Sequence, residues 1–207
     1  ARLNGFSVGV IANNPMFGAG TLDPQACHKI IRLATVCDSY NIPIIFLADV
    51  PGFMVGERVE HELMLHWGMR MMHALQNCSA PTLTVCIRKA FGLAWQAMNG
   101  SQMPALGVYS WPGAEIGFMD PEVGVNVAFG SKLARIDDSE TRESERVALV
   151  REVGESTNPY EAAGTMRIDE IIDPGDTRGV LAHDLEMLAH RSVPPPEARP
   201  LSYWPTC

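Results

Sequence analysis

Apolar residues in this chain come in short bursts, and their spacing alternates between continuous runs and a period near four. "FSVGVIAN" (6–13) is a short β-branched run that ends in Asn-Asn-Pro, which predicts a strand and a turn. After the glycine-bearing loop "MFGAGTL", Asp23 followed by Pro24 is a good helix start: a side-chain cap, then proline at the first helical position. Ala26, Ile30, Leu33, Ala34 and Cys37 then recur at helical spacing. "PIIFLADV" (43–50) predicts the next buried strand, and "PGFMVGERV" a loop. A second helix is expected over 57–77, with Met64, Gly68, Met71 and Leu75 on one side. Glu62, His66, Arg70, His73 and Asn77 form a polar stripe on the other. "PTLTVCI" (81–87) predicts a third buried strand, and "ALGVYSW" and "AEIGFM" two more. The order strand, helix, strand, helix, strand predicts an α/β chain with right-handed crossovers. A charged helix is expected over 137–155, then a short strand, a turn and a last helix within 166–191. The tail of 191–207 is proline-rich, with Tyr203 and Trp204 as its sticky part.

Composition narrows the classes. With 207 residues, 46% apolar and 19% charged, the profile is globular. A net charge of -8 with no block of basic residues argues against a nucleic-acid partner. No run approaches the ~18 apolar residues of a membrane helix. The five cysteines are odd in number and form no CxxC. Reduced thiols in a cytoplasmic chain are the plain reading, beside which a zinc site or a disulfide set stays open. The opening "ARLNGFSVGVIANNP" lacks an initiator Met and begins almost on a strand, which suggests a fragment or a processed chain.

Side-chain chemistry is sparse. There is no GxxxxGK[ST], GxGxxG or GxSxG. His66 and His73 are seven apart with no third ligand nearby, so no metal site is expected. Asp49 ends a strand before Pro51-Gly52 and either acts on a ligand or stabilises a turn. What remains is glycine-bearing turns at strand ends, where open α/β sheets gather ligands: Pro51-Gly52-Phe53 after one strand, and Gly92 in "RKAFGLAWQAM" after another. If a short helix starts near Leu93, the N–H groups of Leu93 and Ala94 are among its unpaired first donors and can hold an oxyanion. Simple close packing explains the same glycine.

Four stretches together, "DVPGFMVG", "RKAFGLAWQAM", "WPGAEIGFM" and "GVNVAFG", in this order and at these separations, resemble the carboxyltransferase component of biotin-dependent acyl-CoA carboxylases. "ARLNGFSVGVIANNP" and "IDEIIDPGDTRGVL" are similar to its edges, so the likeness covers residues 1–190. The resemblance implies a crotonase-like α/β spiral of ββα units, and specifically the carboxy-terminal, carboxybiotin-binding half of an enzyme built from two homologous halves. It implies that the N–H groups of Leu93 and Ala94 bind the ureido carbonyl of biotin, that Phe91 and Gly92 shape the turn, and that Gln96 bears on acyl selectivity. The Pro51-Gly52-Phe53 loop would border the biotin pocket. It also implies a mechanism in which carboxybiotin releases CO2, the two amides stabilise charge on the ureido oxygen, and the biotin nitrogen takes the α-proton of the acyl-CoA. Implied partners are acyl-CoA, a biotin carboxyl carrier with its biotin carboxylase, the amino-terminal half and further copies of the chain.

There are departures. Many members carry Gly-Gly, an aromatic residue and Asp where this chain has Gly92-Leu93-Ala94-Trp95-Gln96, which leaves the acyl group open. No Met-Lys-Met biotin attachment site and no four-cysteine zinc motif is present. Three rivals stand beside the carboxylase reading. One is a biotin-linked acyl-CoA decarboxylase, and another a non-catalytic assembly module. The third is an independent hydratase or hydrolase, which needs a carboxylate facing the amide pair; Glu115 is its candidate.

Overall fold

The continuous apolar runs become the middle of a parallel sheet. In the computed structural model, β1 (Arg2–Leu3) and β2 (Phe6–Ser7) form a small antiparallel pair. The main sheet takes β3 (Gly9–Ala12), β4 (Ile44–Val50), β5 (Thr82–Phe91), β6 (Gly107–Ser110) and β8 (Glu170–Ile171) in that spatial order, while β7 (Glu115–Gly117) pairs with the upper half of β5. Every pairing in this sheet is parallel. A parallel sheet is covered on both faces, which is why its strands read as unbroken apolar runs. Period-2 alternation sorts the side chains. Ile44, Phe46 and Ala48 of β4 join the larger core with Cys86 of β5, under α1 (Pro24–Ser39), α3 (Met64–Gln76) and α4 (Gly92–Ala97). Ile45, Leu83 and Val85 point the other way, against α8 (Thr177–Ala189). The structure describes residues 1–101, 103–189 and 201. Of the proline-rich tail, Tyr203 and Trp204 lie outside the described residues, whereas Leu201 is buried in the larger core.

Several elements differ from their expected form. The first strand is split into β2 and β3. The single helix over 57–77 is two, α2 (Glu57–His61) and α3, broken where Leu63 takes a left-handed backbone (φ 62). The buried face of α3 is the expected one, but on α1 Cys27 and Ile31 are buried while Leu33 is exposed. Two helices went unread: α5 (Pro121–Leu133) and α7 (Pro159–Gly164). The charged segment forms α6 (Ser139–Glu155), which pairs with α5 around a small core of Val125, Leu133 and Leu149. Among the described residues no helix is long and apolar enough to cross a membrane.

Candidate functional site

The strand before Gly92 is longer than its apolar run implied, because "RKAF" continues β5 to Phe91. That extension carries an irregularity. Ala48 of β4 pairs with Cys86, yet Val50 pairs with Ala90, so β5 holds two more residues than β4 across the same interval. Extra residues leave ladder groups unpaired and bend the strand. Asp49 fills the gap: its carboxylate accepts from the Lys89 N–H (3.2 Å) and from Nε of Arg88 (3.1 Å). Asp49 therefore braces the turn and belongs to its framework, and its own N–H is held by Oδ1 of Asn13.

Above the irregularity, Lys89 donates to Oδ2 of Asp120 at 2.7 Å, with its ammonium 5.9 Å from the centre of the Phe91 ring. Asp120 is also the cap of α5. The pair ties the segment after β7 to the end of β5, and it delivers the Phe118 carbonyl to Gly92. A Cβ built on Gly92 would stand 2.9 Å from that oxygen, and Gly92 has φ +57. Two demands, a left-handed backbone and a close carbonyl, both require glycine. The next residue, Leu93, is helical with no positive φ. A left-handed residue followed by right-handed ones turns successive N–H groups toward one side, as in anion-binding nests.

Helix α4 starts at Gly92 with no side-chain cap. Among the described residues the N–H groups of Leu93 and Ala94 find no acceptor in a strand, loop or side chain. As the second and third residues of the helix they have no intrahelical acceptor either. Leu93 is 45% exposed while Ala94 and Trp95 are buried, so the donor pair sits at the rim of the core. No carboxylate occurs in residues 88–98 themselves, and Asp49 and Asp120 beside them are paired with Arg88 and Lys89. Gln96 lies on the same helix, half-buried.

Behind α4 stands a polar cluster that the sequence reading missed. Asn99 has φ +58 and is 1% exposed. Its Nδ2 donates to the hydroxyls of Thr82 (3.0 Å) and Thr84 (3.1 Å), and its carbonyl accepts from Thr84 at 2.7 Å. The N–H groups of Asn99 and Gly100 return to the carbonyls of Gln96 and Trp95, which is the paired closure of a helix end with a left-handed residue just past it. The Asn99-Gly100 dipeptide after an apolar run was the available signal.

The Pro51-Gly52-Phe53 loop is held from outside its strand. Leu22 N–H donates to the Gly52 carbonyl (3.1 Å), Met54 N–H returns to Leu22 (2.9 Å), and the Phe53 ring packs where a Gly68 Cβ would stand. Glu115 is exposed on β7 opposite Lys89 and lines an open cleft of about 350 Å³ with Pro112, Thr157 and Asn158. None of residues 91–96 lines that cleft. Among the described residues no group of three His, Cys, Asp or Glu could hold a metal ion. Cys27, Cys37, Cys78 and Cys86 are free thiols. Burial pushes the thiols of Cys27, Cys78 and Cys86 up to about 12, so none is a nucleophile at neutral pH.

Sequence and fold place the chain among carboxyltransferase domains. Residues 1–200 match the carboxyl transferase domain family, and the chain belongs to it. It is 40% identical over 198 residues to the carboxyltransferase subunit of propionyl-CoA carboxylase from Haloferax mediterranei, covering 96% of this chain and 38% of that protein. It is 37% identical over 191 residues to the alpha subunit of methylmalonyl-CoA decarboxylase from Veillonella parvula, covering 92% and 36%. Among solved structures, transcarboxylase 12S with methylmalonyl-coenzyme A and methylmalonic acid bound superposes with a TM-score of 0.84 at 38% identity, covering 96% of this chain and 38% of that one. The fold is the crotonase-like α/β fold of these carboxyltransferases. The chain spans under two fifths of the length of each of these relatives.

Proposed function

We propose that this chain is the carboxybiotin-side half of an acyl-CoA carboxyltransferase, acting with a homologous amino-terminal half that holds the acyl-CoA. The observation that carries the reading is the left-handed turn at Gly92 with two unpartnered N–H groups immediately after it. Those groups suit biotin: a ureido oxygen needs donors, and neutral backbone donors bind it as a carbonyl and more strongly as charge develops. Bound carboxybiotin supplies CO2 and the ring nitrogen that accepts the acyl α-proton. The Leu93 and Ala94 N–H groups hold the ureido oxygen, Phe91 and Gly92 set their direction, and the Pro51-Gly52-Phe53 loop borders the pocket. Gln96 bears on the acyl group. The absence of a side-chain acid or base in residues 90–98 fits this division of labour. A biotin carboxyl carrier with its biotin carboxylase, the amino-terminal half and further copies of the chain are the partners this role requires.

The test supplies the chain with an amino-terminal half and carboxybiotin, and follows carboxylation of acetyl-, propionyl- and longer acyl-CoAs. Leu93→Pro deletes one N–H at a half-exposed position, whereas Leu93→Ala keeps it. Losing one such donor costs on the order of 3 kcal/mol, so Leu93→Pro is expected to lose about 100-fold in transfer and Leu93→Ala little. Equal activity in the folded Pro variant would remove the amide role. Ala94→Pro provides the second measurement. A second reading, transfer in the decarboxylating direction, is favoured by the named decarboxylase relative. It predicts that the same two halves, given biotin in place of carboxybiotin, move the carboxyl group from a carboxylated acyl-CoA to biotin and leave the acyl-CoA.

A further inference from the structure

We propose that Asn99 is a positioning residue for this site: by clamping the far end of α4 onto β5, it sets the direction in which the Leu93 and Ala94 N–H groups point. The inference rests on the amide role proposed above. Helix α4 is only six residues long, and a helix that short is marginal on its own, so its geometry is dictated from its ends. At the near end the chain leaves β5 through the Gly92 turn. At the far end three things coincide on Asn99. Its backbone is left-handed and closes the helix by donating to Gln96. Its Nδ2 reaches two β5 hydroxyls, those of Thr82 and Thr84. Its carbonyl accepts from Thr84. Alternation along β5 puts residues 82 and 84 on the face that carries α4, and each hydroxyl is committed: Thr84 donates back to Asn99, and Thr82 to the Pro104 carbonyl.

The result is a buried hydrogen-bonded network joining the strand that enters the site to the helix that leaves it. Such networks specify one arrangement, because any tilt breaks bonds that cannot be replaced by water. The helix spans about 9 Å at 1.5 Å per residue, so a small tilt at Asn99 is carried to the donor pair. A misplacement of about 1 Å can cost about 100-fold in rate. Trp95 adds a second contact on the same side: its ring occupies the place where a Gly100 Cβ would stand, and its Nε1 donates to Ser101 (3.1 Å).

The experiment measures kcat and acyl-CoA KM in the assembled enzyme, with kcat expressed per folded molecule by circular dichroism. Asn99→Gly keeps the left-handed backbone and deletes the clamp. Thr84→Val keeps the shape and deletes a hydroxyl, and Thr84→Ser retains that hydroxyl. Asn99→Gly and Thr84→Val are each expected to lower kcat about tenfold or more, with acyl-CoA KM within twofold. Combined, they should lose little more than either alone, because they break one unit. Thr84→Ser should recover most of the rate. A brace that only stabilises the fold would lower the denaturation midpoint and leave kcat per folded molecule unchanged; that result overturns the proposal. If Asn99→Gly does not fold, Thr84→Val against Thr84→Ser decides on the same criterion. Loss of transfer in Leu93→Pro with full kcat in both clamp variants sinks the clamp alone. Full activity in Leu93→Pro sinks the amide reading, and the role of Asn99 with it.

Discussion

At Gly92 the backbone conformation and the neighbouring carbonyl both select glycine. Gly92→Ala should therefore act twice. An alanine in the left-handed region costs roughly 1–2 kcal/mol, which at this chain length lowers Tm by about 2–8 °C. The added Cβ also pushes on the Phe118 oxygen, and the displacement falls on the donor pair. Transfer activity should consequently drop further than stability, more than tenfold at a temperature where the variant is folded. Calorimetry beside the transfer assay separates the two; a variant that loses Tm but no rate would show that the turn's aim is irrelevant. A glycine after an apolar run was legible as a special position. Its reason was not, because the atom that excludes a side chain belongs to Phe118, on a segment brought in by β7. Asp49 is similar. Its place at a strand end was visible, but its choice between ligand and brace was decided by the register shift between β4 and β5.

Among the elements, α1 was legible because Asp23 and Pro24 announce it, and Asp23 Oδ1 does accept from the Ala26 N–H at 2.7 Å. The same cap followed by proline opens α5 at Asp120-Pro121 and α7 at Asn158-Pro159. Those two went unread because their interiors dilute the helical signal: Gly124, Gly130 and three valines in α5, and a length of six residues in α7. The break at Leu63 carries no glycine or proline, so nothing local marks it. The α5–α6 pair is built on its own small core, which predicts a unit that opens by itself. Val125 is fully buried there. Val125→Ala should cost about 2 kcal/mol and speed amide exchange across 121–155 by roughly thirtyfold. Protection in β4 and β5 should stay unchanged in the same exchange experiment. Equal acceleration in the sheet would show that the arm and the sheet open together.

Over the whole molecule, buried thiols tie global stability to pH. Burial holds Cys27, Cys78 and Cys86 near 12 in the fold, against about 8.5 for an exposed cysteine. Between those values the unfolded chain has lost the protons that the folded chain keeps, so unfolding releases protons and stability falls as pH rises. The contribution is whole below pH ~8.5 and is lost progressively toward 12. Urea midpoints should decline across that window, and Cys86→Ala should flatten the decline; an unchanged slope would remove Cys86 from the account. By itself the sequence determined the α/β class, the run of buried strands, the family and the glycine turn on which the proposed site rests, because these depend on local pattern and on motifs in chain order. Only the tertiary structure decided what surrounds that turn: the Phe118 carbonyl, the Asp49 and Lys89 braces, and the clamp of Asn99 on Thr82 and Thr84. Those contacts depend on strand register and on which side chains share a face of β5, and neither is set until the strands have paired.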